Sequence, residues 1–484
     1  MKKSKIENRK FSGFWLLASG FWLLMLLTSC GRGDEAESEK ELIIISPHGS
    51  DIRYEFSHAF SQWHQKKYGS PVNVKWPDIG GGGTGNIVRY LDQAYQEGGS
   101  PGYDLLFGGG SYTYTIYQAK NYLVKPDLPA EVLARVPKDI FSTPLHGAGD
   151  SWIAATMSNF GITYNKDRIA ELGLQVPRTW EDLTGPQWIG LMSLSDPSKS
   201  GSVRSSYDQI FMQYGWEKGW RSIVLMFANT DNIRDSGSAP ADDVGSAQAV
   251  AGIVIDFYGR KAILRAGESI CGFVIPDGGS ITDPDPIAML RGAPHPEIAS
   301  HFIEFVISEE GQKLWTFRVG TPGGPKKYVL GRLSVLPEMY EKYRDEMFDP
   351  VSPFTSAAAL KADISSKWRN DFIGELIRSA LIENIEALRS ARRAVHAAGD
   401  PPELLAKLTA PPTFIPTKVV NGKLEDQPPR PITASDQQAV AAEFKPKDNV
   451  RKPQTERLQQ RLMDLWQREF LQRCKEVEKL AKYR

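Results

Sequence analysis

Apolar and polar positions along this chain switch repeatedly between two periods. The first apolar run of the folded region, LIIIS from Leu42 to Ser46, stops abruptly at Pro47-His48-Gly49. After it comes IRYEFSHAFSQWHQKKYG, with Phe56, Phe60 and Trp63 at helical spacing. VNVKW, IVRYLDQAYQ and YDLLFGGG continue the exchange of strand for helix, which predicts a mostly parallel sheet with covering helices. WIAATMSNFGITYN then lengthens into a longer β-like stretch, and PRTWEDLTGPQWIGLMSLSDPSKSGSV restarts strand, loop and helix as a second lobe. IVIDFYG and SICGFVIP follow. HPEIASHFIEFVISEEGQKLW returns to a strong helix with Phe302, Phe305, Val306 and Leu314 on one side.

Beyond about Tyr340 the pattern turns helical. DFIGELIRSALIENIEALRSARRAV carries Phe372, Leu376, Leu381, Ile385, Leu388 and Val395 at helical spacing and must pack on something. A proline-rich polar stretch reads as linker, and the end of the chain reads as an amphipathic helix with Leu462, Trp466, Phe470 and Val477. The expected organisation is a leader over 1–30, a tether over 31–40, a first lobe over 41–148 and a second over 149–272. A return to the first lobe over 273–345 precedes a helical extension over 346–400, a linker over 401–453 and the last helix over 454–484. At 484 residues the chain exceeds one ordinary core, which agrees with several units.

Charge changes the picture by exclusion. Lys+Arg and Asp+Glu both total 58, so no net field marks a nucleic-acid binder, and charge-based function must be local. The leader sets the compartment: a basic stretch, MKKSKIENRK, runs into FWLLASGFWLLMLL and ends in Leu27-Thr28-Ser29-Cys30. This resembles a lipobox, which implies cleavage before Cys30, a lipid on its sulfur and a protein held at a bacterial membrane outside the cytoplasm. The other reading is a single transmembrane anchor, for which the apolar run is short. Cys271, inside a strand pattern, and Cys474, on a helical stripe, read as buried thiols.

Candidate chemistry concentrates in loops after strands. GGGGTG at Gly80–Gly85 formally fits a dinucleotide fingerprint, but Pro77 and Asp78 separate it from its strand and an exported protein meets little such cofactor. Glycines that let backbone N–H groups approach an anion at a helix start remain. FGGGSY places Gly110 and Ser111 in the same situation, DPSKSGSV does so with Ser200, Gly201 and Ser202, and RDSGSAP adds Arg234. His48 lies just past the first strand's carboxyl end, where open α/β sheets bind ligands. No H-E-x-x-H, G-x-S-x-G or C-x-x-C occurs, so nothing demands an enzyme.

With these pieces placed, the chain resembles the solute-binding lipoproteins of ABC importers, in the branch that includes ferric-iron-, phosphonate- and hexose-phosphate-binding proteins. The resemblance rests on GGGTGNIVRYL, SNFGITYNKDRI with PRTWEDLTGPQWIG and DPSKSGS, IVIDFYG, IPDGGSITDPDPIAMLRGAPHPEIASHFIEFVISEEGQKLW and GTPGGP, across about Leu42 to Tyr340. It implies two α/β lobes joined by a hinge, closing on a small ligand and docking on a permease with its ATPase. His48, Thr84, Gly85, Gly110 and Ser111 would serve from the first lobe. Ser200, Gly201, Ser202, Arg234, Asp256 and Tyr258 would serve from the second. No cofactor is expected. Ferric-binding members use a histidine, a carboxylate and two adjacent tyrosines; here His48, Asp256 and Tyr258 would be the iron ligands, but no Tyr-Tyr pair exists. Loops rich in N–H groups and hydroxyls suit a phosphate, phosphonate or carboxylate instead, with Arg234 as countercharge. Sensing through a membrane receptor is a further reading, and a tethered hydrolase with His48 as base is another.

Overall fold

The computed structural model describes residues 40–79, 84–355, 368–370, 372–420, 423–444 and 453–483; Cys30 and Gly80–Gly83 lie outside the described residues. No helix among the described residues is long and apolar enough to cross a membrane.

The first sheet begins with β1 (Lys40–Ile45), β2 (Val72–Lys75) and β3 (Leu105–Phe107), all parallel. β4 is Leu123–Val124, and β5 (Asp139–Ile140) with β6 (Thr143–Pro144) forms a small hairpin beside the sheet. β7 (Ile153–Ser158) still belongs to this lobe, and β8 (Phe160–Asn165) opens the second sheet. β9 (Met192–Ser195), β10 (Thr230–Arg234) and β11 (Ala251–Ile255) are its parallel core, and β12 (Cys271–Val274) closes it against β8. β13 (Asp283–Leu290) returns to the first sheet, antiparallel to β3, β4 and β7. The strand orders are β2-β1-β3-β13-β4 with β7 on β13, and β10-β9-β11-β8-β12.

The first lobe's helices are α1 (Ser50–Tyr68), α2 (Thr84–Gln96), α3 (Ser111–Ala119) and α4 (Ala130–Leu133). The second lobe carries α5 (Lys166–Glu171), α6 (Gly201–Asn229), α7 (Ala239–Gly245) and α8 (Asp256–Ala266). α9 (Pro296–Val306), α10 (Glu309–Thr316) and α11 (Glu338–Lys342) complete the first lobe. Both faces of the first sheet are covered: Phe56, Phe60, Phe302 and Trp315 fill one side, and Leu91, Tyr114, Tyr117 and Trp152 the other.

The β-like stretch WIAATMSNFGITYN is two strands in two sheets, divided at Asn159. The expected start of the second lobe at residue 149 therefore falls about ten residues early, because one continuous apolar run serves both cores. Asn159 pins the crossing: its N–H donates to Asp256 Oδ2 at 3.0 Å, and its side-chain oxygen accepts from Thr282 Oγ1 at 2.9 Å in the returning segment.

The extension comprises α12 (Ile373–Ile377), α13 (Ile385–Ala397), α14 (Pro402–Leu408), α15 (Gln437–Phe444) and α16 (Pro453–Lys482). It packs on the second lobe, where Trp216, Trp220 and Phe227 of α6 join Phe372, Leu388, Trp466 and Phe470 in one core. The stretch 401–453, expected as linker, is largely structured. Pro402 opens α14 where its missing N–H costs nothing, and Leu404, Leu408, Phe414, Ile432 and Val440 enter the core. Three indoles hold it by backbone carbonyls: Trp216 on Ile432 at 2.7 Å, Trp220 on Ala410 at 3.2 Å and Trp466 on Thr413 at 2.7 Å.

Candidate functional site

In each lobe three parallel strands end on one side, and each is followed by a loop and a helix start. In the first lobe the loops after β1, β2 and β3 lead into α1, α2 and α3. The β3 loop is Gly108-Gly109-Gly110, all at positive φ (85°, 104° and 80°), a conformation other residues adopt only at a cost. A Cβ on Gly108 would fall 2.4 Å from His48 Nε2, and one on Gly109 3.0 Å from the Thr84 methyl, so the glycines let three loops converge.

His48 does not face an open crevice as its position suggested. It is 8% exposed, its ring edge-on to Phe107 at 4.7 Å, and its Nε2 meets Asp285 Oδ2 at 3.1 Å. Asp285 is the hub. The same oxygen accepts from Arg332 Nη1 at 2.7 Å, while Oδ1 accepts the Gly109 and Gly110 N–H groups at 2.8 and 3.1 Å. The glycine N–H groups expected for a ligand anion thus hold a carboxylate of the protein itself. Burial opposes the charge on Asp285, but the Arg332 guanidinium, then His48 and the Gly110 N–H, outweigh it and hold the carboxyl well below its usual range. Ser111 donates to Asp283 at 2.8 Å; Thr84 is half-buried beside Gly109, and Gly85 is exposed.

The second lobe divides its expected residues between two places. Ser200 caps α6, accepting from Val203 N, and its hydroxyl meets that of Ser202 at 3.0 Å, with Gly237 of the next loop packed against both and Gly201 opening the helix. Arg234 is committed internally rather than free as a countercharge: it grips Asp243 with two bonds of 2.7 Å. Asp256 and Tyr258 open α8 next to the hinge. Asp256 is fully buried and accepts Asn159 N and Phe257 N, and its burial raises its carboxyl's pKa against the opposing pull of Arg260. Burial raises the pKa of the Tyr258 phenol too, opposed by the field of Arg332, and Asp51 and Asp285 also act on it.

Arg332 ties these groups together. It is 5% exposed and donates to Asp285 and to Ser158, and its guanidinium lies over the rings of Phe257 at 4.7 Å and Trp315 at 5.5 Å. Its charge reaches Asp256, Tyr258 and Asp285 alike. Two ion pairs join the lobes nearby: Lys261 of α8 to Asp51 of α1 at 2.6 Å, and Arg260 of α8 to Asp349. Among the described residues no group of three or more histidine, cysteine or acidic side chains could hold a metal ion.

Sequence reasoning missed Asp285, Arg332, Asp283, Asp51 and Lys261. A signal existed for two of them: DPDPIAML puts acids two apart at the start of an apolar strand, and such a carboxylate needs a partner.

Comparison with known proteins agrees with this architecture. Residues 100–329 match a family of bacterial extracellular solute-binding proteins. The phosphoglycerate transport regulatory protein PgtC of Salmonella typhimurium is 26% identical over 335 residues, covering 68% of this chain and 77% of that protein. Among solved structures, the apo ferric ion-binding protein A of Pasteurella haemolytica superposes with a TM-score of 0.51 at 15% identity, over 74% of this chain and 97% of its own. The Trichodesmium protein IdiA (FutA), in complex with iron and citrate, gives 0.51 at 16% identity, over 70% and 98%. The fold is that of the two-lobed type II periplasmic binding proteins, with C-terminal helices added, and the matched family and these neighbours are binding proteins rather than enzymes.

Proposed function

We propose that this extracytoplasmic solute-binding protein of the ABC-importer class captures a small phosphorylated or carboxylated anion between its lobes rather than ferric iron. The observation that carries this reading is Arg332. The three residues that would ligate iron, His48, Asp256 and Tyr258, do not enclose a set of free anionic oxygens. His48 is bonded to Asp285, Asp256 is spent on hinge N–H groups, and a buried guanidinium acts on both carboxylates and on the phenol. Asp285 offsets the Arg332 charge, but Arg332 Nε has no hydrogen-bond partner among the described residues, and a buried N–H donor there suits an oxyanion and gives a metal ion nothing to bind. The relative named for phosphoglycerate transport points the same way, toward a short phosphorylated hydroxy acid.

The test is thermal unfolding of a form starting at Glu39 with 2- and 3-phosphoglycerate, phosphoenolpyruvate, inorganic phosphate, a simple phosphonate and, separately, ferric citrate. A ligand at ~100 times its Kd adds about 2.7 kcal/mol, an easily read rise in midpoint. A rise with one of the organic anions and none with ferric citrate is expected; the reverse would sink the reading. The word "regulatory" in the relative's name favours a second role, in which the closed form signals to a membrane receptor instead of feeding a permease. Stimulation of a reconstituted permease's ATP hydrolysis by the liganded protein separates the two. We place the protein at the membrane through a lipid on Cys30; mass spectrometry of the mature N-terminus is expected to find a diacylglyceryl cysteine there.

A further inference from the structure

α16 separates its charges by sign. Among its described side chains the acids Asp464, Glu469, Glu476 and Glu478 are all half-buried and engaged: Asp464 by Gln460 at 2.7 Å, Glu469 by Arg473 and Thr413, Glu476 by Lys407 at 2.9 Å and Glu478 by Lys482 at 2.6 Å. The exposed positions whose side chains are described are Gln460, Arg461, Arg468, Gln472, Lys475, Lys479, Leu480, Lys482 and Tyr483. They include five cations and no acid. Arg461, Arg468, Lys475 and Lys482 recur every seven residues, and Lys479 is one turn from Lys475. A seven-residue step drifts by only about 20° on an α-helix, so the cations form a column on one face, roughly 30 Å long.

Arg468, Lys475 and Lys479 have no ion pair among the described residues, although stacked like charges on a helix repel one another. They line a shallow groove of about 430 Å³ with Leu471, Gln472 and Glu476, the last of which is neutralised by its pair with Lys407. At the C-terminal end of the column Leu480 is 45% and Tyr483 80% exposed, an apolar and an amphipathic side chain set among lysines. The opposite face is fixed in the core by Trp466, Phe470, Cys474 and Val477, so the column cannot turn inward.

We infer that this face rests on an anionic lipid surface. The column is straight, the acid at its flank, Glu476, is paired with Lys407, and it ends in the residue types that settle at headgroup depth, which suits a flat negative surface. Nucleic acid would call for aromatic side chains interleaved with the cations, and here the one exposed aromatic stands at the end. The inference does not depend on which solute the cleft holds.

Residues Glu39–Arg484 form a compact unit by themselves, so the experiment uses that soluble form, which has no lipid of its own. Sedimentation is measured with vesicles of phosphatidylglycerol and phosphatidylethanolamine, and with phosphatidylcholine alone, at low and high salt. Binding to the anionic vesicles at low salt only is expected. Arg468→Glu/Lys475→Glu/Lys479→Glu should weaken it by roughly a hundredfold or more, at about fivefold for each cation removed. Circular dichroism checks that the variant folds, as exposed substitutions should allow. Absence of binding to anionic vesicles, or equal binding by the variant, overturns the inference. So does retention of the protein on a polyglutamate matrix without vesicle binding, which would assign the face to an acidic protein instead.

Discussion

His48 shows what one position can and cannot disclose. An apolar run ending in Ser-Pro-His-Gly places the imidazole past a strand's carboxyl end, and the structure puts it there. Its partner Asp285 lies 237 residues along the chain, and no local pattern announces that pairing. Separation along the chain hid Arg332 as well, 47 residues beyond Asp285. Together these residues form a largely buried cluster in which the Asp285 and Arg332 charges depend on each other, and that dependence can be measured. Asp285→Asn leaves the Arg332 guanidinium without its anion and should cost about 3–5 kcal/mol, whereas Asp285→Asn/Arg332→Met should cost less than the sum of the single changes. Chemical denaturation of the four proteins gives the cycle. Strict additivity would mean that the pair is not a unit.

At the scale of elements, helices were legible wherever an apolar stripe repeated, and α1, α9 and α16 follow their stripes. Two features escaped. A continuous β-like run was divided between lobes by one asparagine, and a proline-rich stretch became part of the core through apolar residues too widely spaced to show a period. The α1–α9 seam holds a feature with a consequence for pH. His64 Nδ1 meets the Ser70 carbonyl oxygen at 2.7 Å and its Nε2 meets His301 Nδ1 at 3.2 Å, while His301 stacks on Tyr68 at 3.8 Å. Burial lowers both histidine pKa values; Lys40 lowers them further, and Glu297 opposes this for both. Glu304 also raises that of His301 and is itself bonded to Lys67 and Tyr68. Because the folded values lie below that of a free histidine, about 6.5, the unfolded chain takes up protons first as pH falls. Stability is therefore full above pH ~6.5 and declines as pH drops through the lower folded values. The unfolding midpoint should fall between pH ~7 and ~5, and His301→Gln should flatten that slope. An unchanged slope would remove the seam as its source.

Across the whole molecule, α8 does three things at once. Its first residue, Asp256, holds the hinge through Asn159. Tyr258 lies in the field of Arg332, and Arg260 and Lys261 reach across to Asp349 and Asp51 in the first lobe. The helix that bridges the lobes also anchors the hinge, so α8 helps to set how the lobes close. The two-lobed plan was readable from the change in pattern, but ion pairs between lobes depend on a relative placement that no single-chain pattern encodes. The Asp51–Lys261 pair is partly exposed, with side chains 27% and 22% accessible, so its own contribution should be modest, about 0.2–1 kcal/mol. That is still about a 1.4- to 5-fold change in the ratio of closed to open molecules, and reversing one charge adds repulsion to the loss. Lys261→Asp should therefore enlarge the radius of gyration of the ligand-free protein in X-ray solution scattering and weaken ligand binding by the fall in the closed fraction. Asp51→Lys/Lys261→Asp should restore both, because the swapped pair reproduces the attraction. If the single variant scatters like the parent, the pair does not govern closure, and the hinge residues around Asn159 must set the equilibrium by themselves.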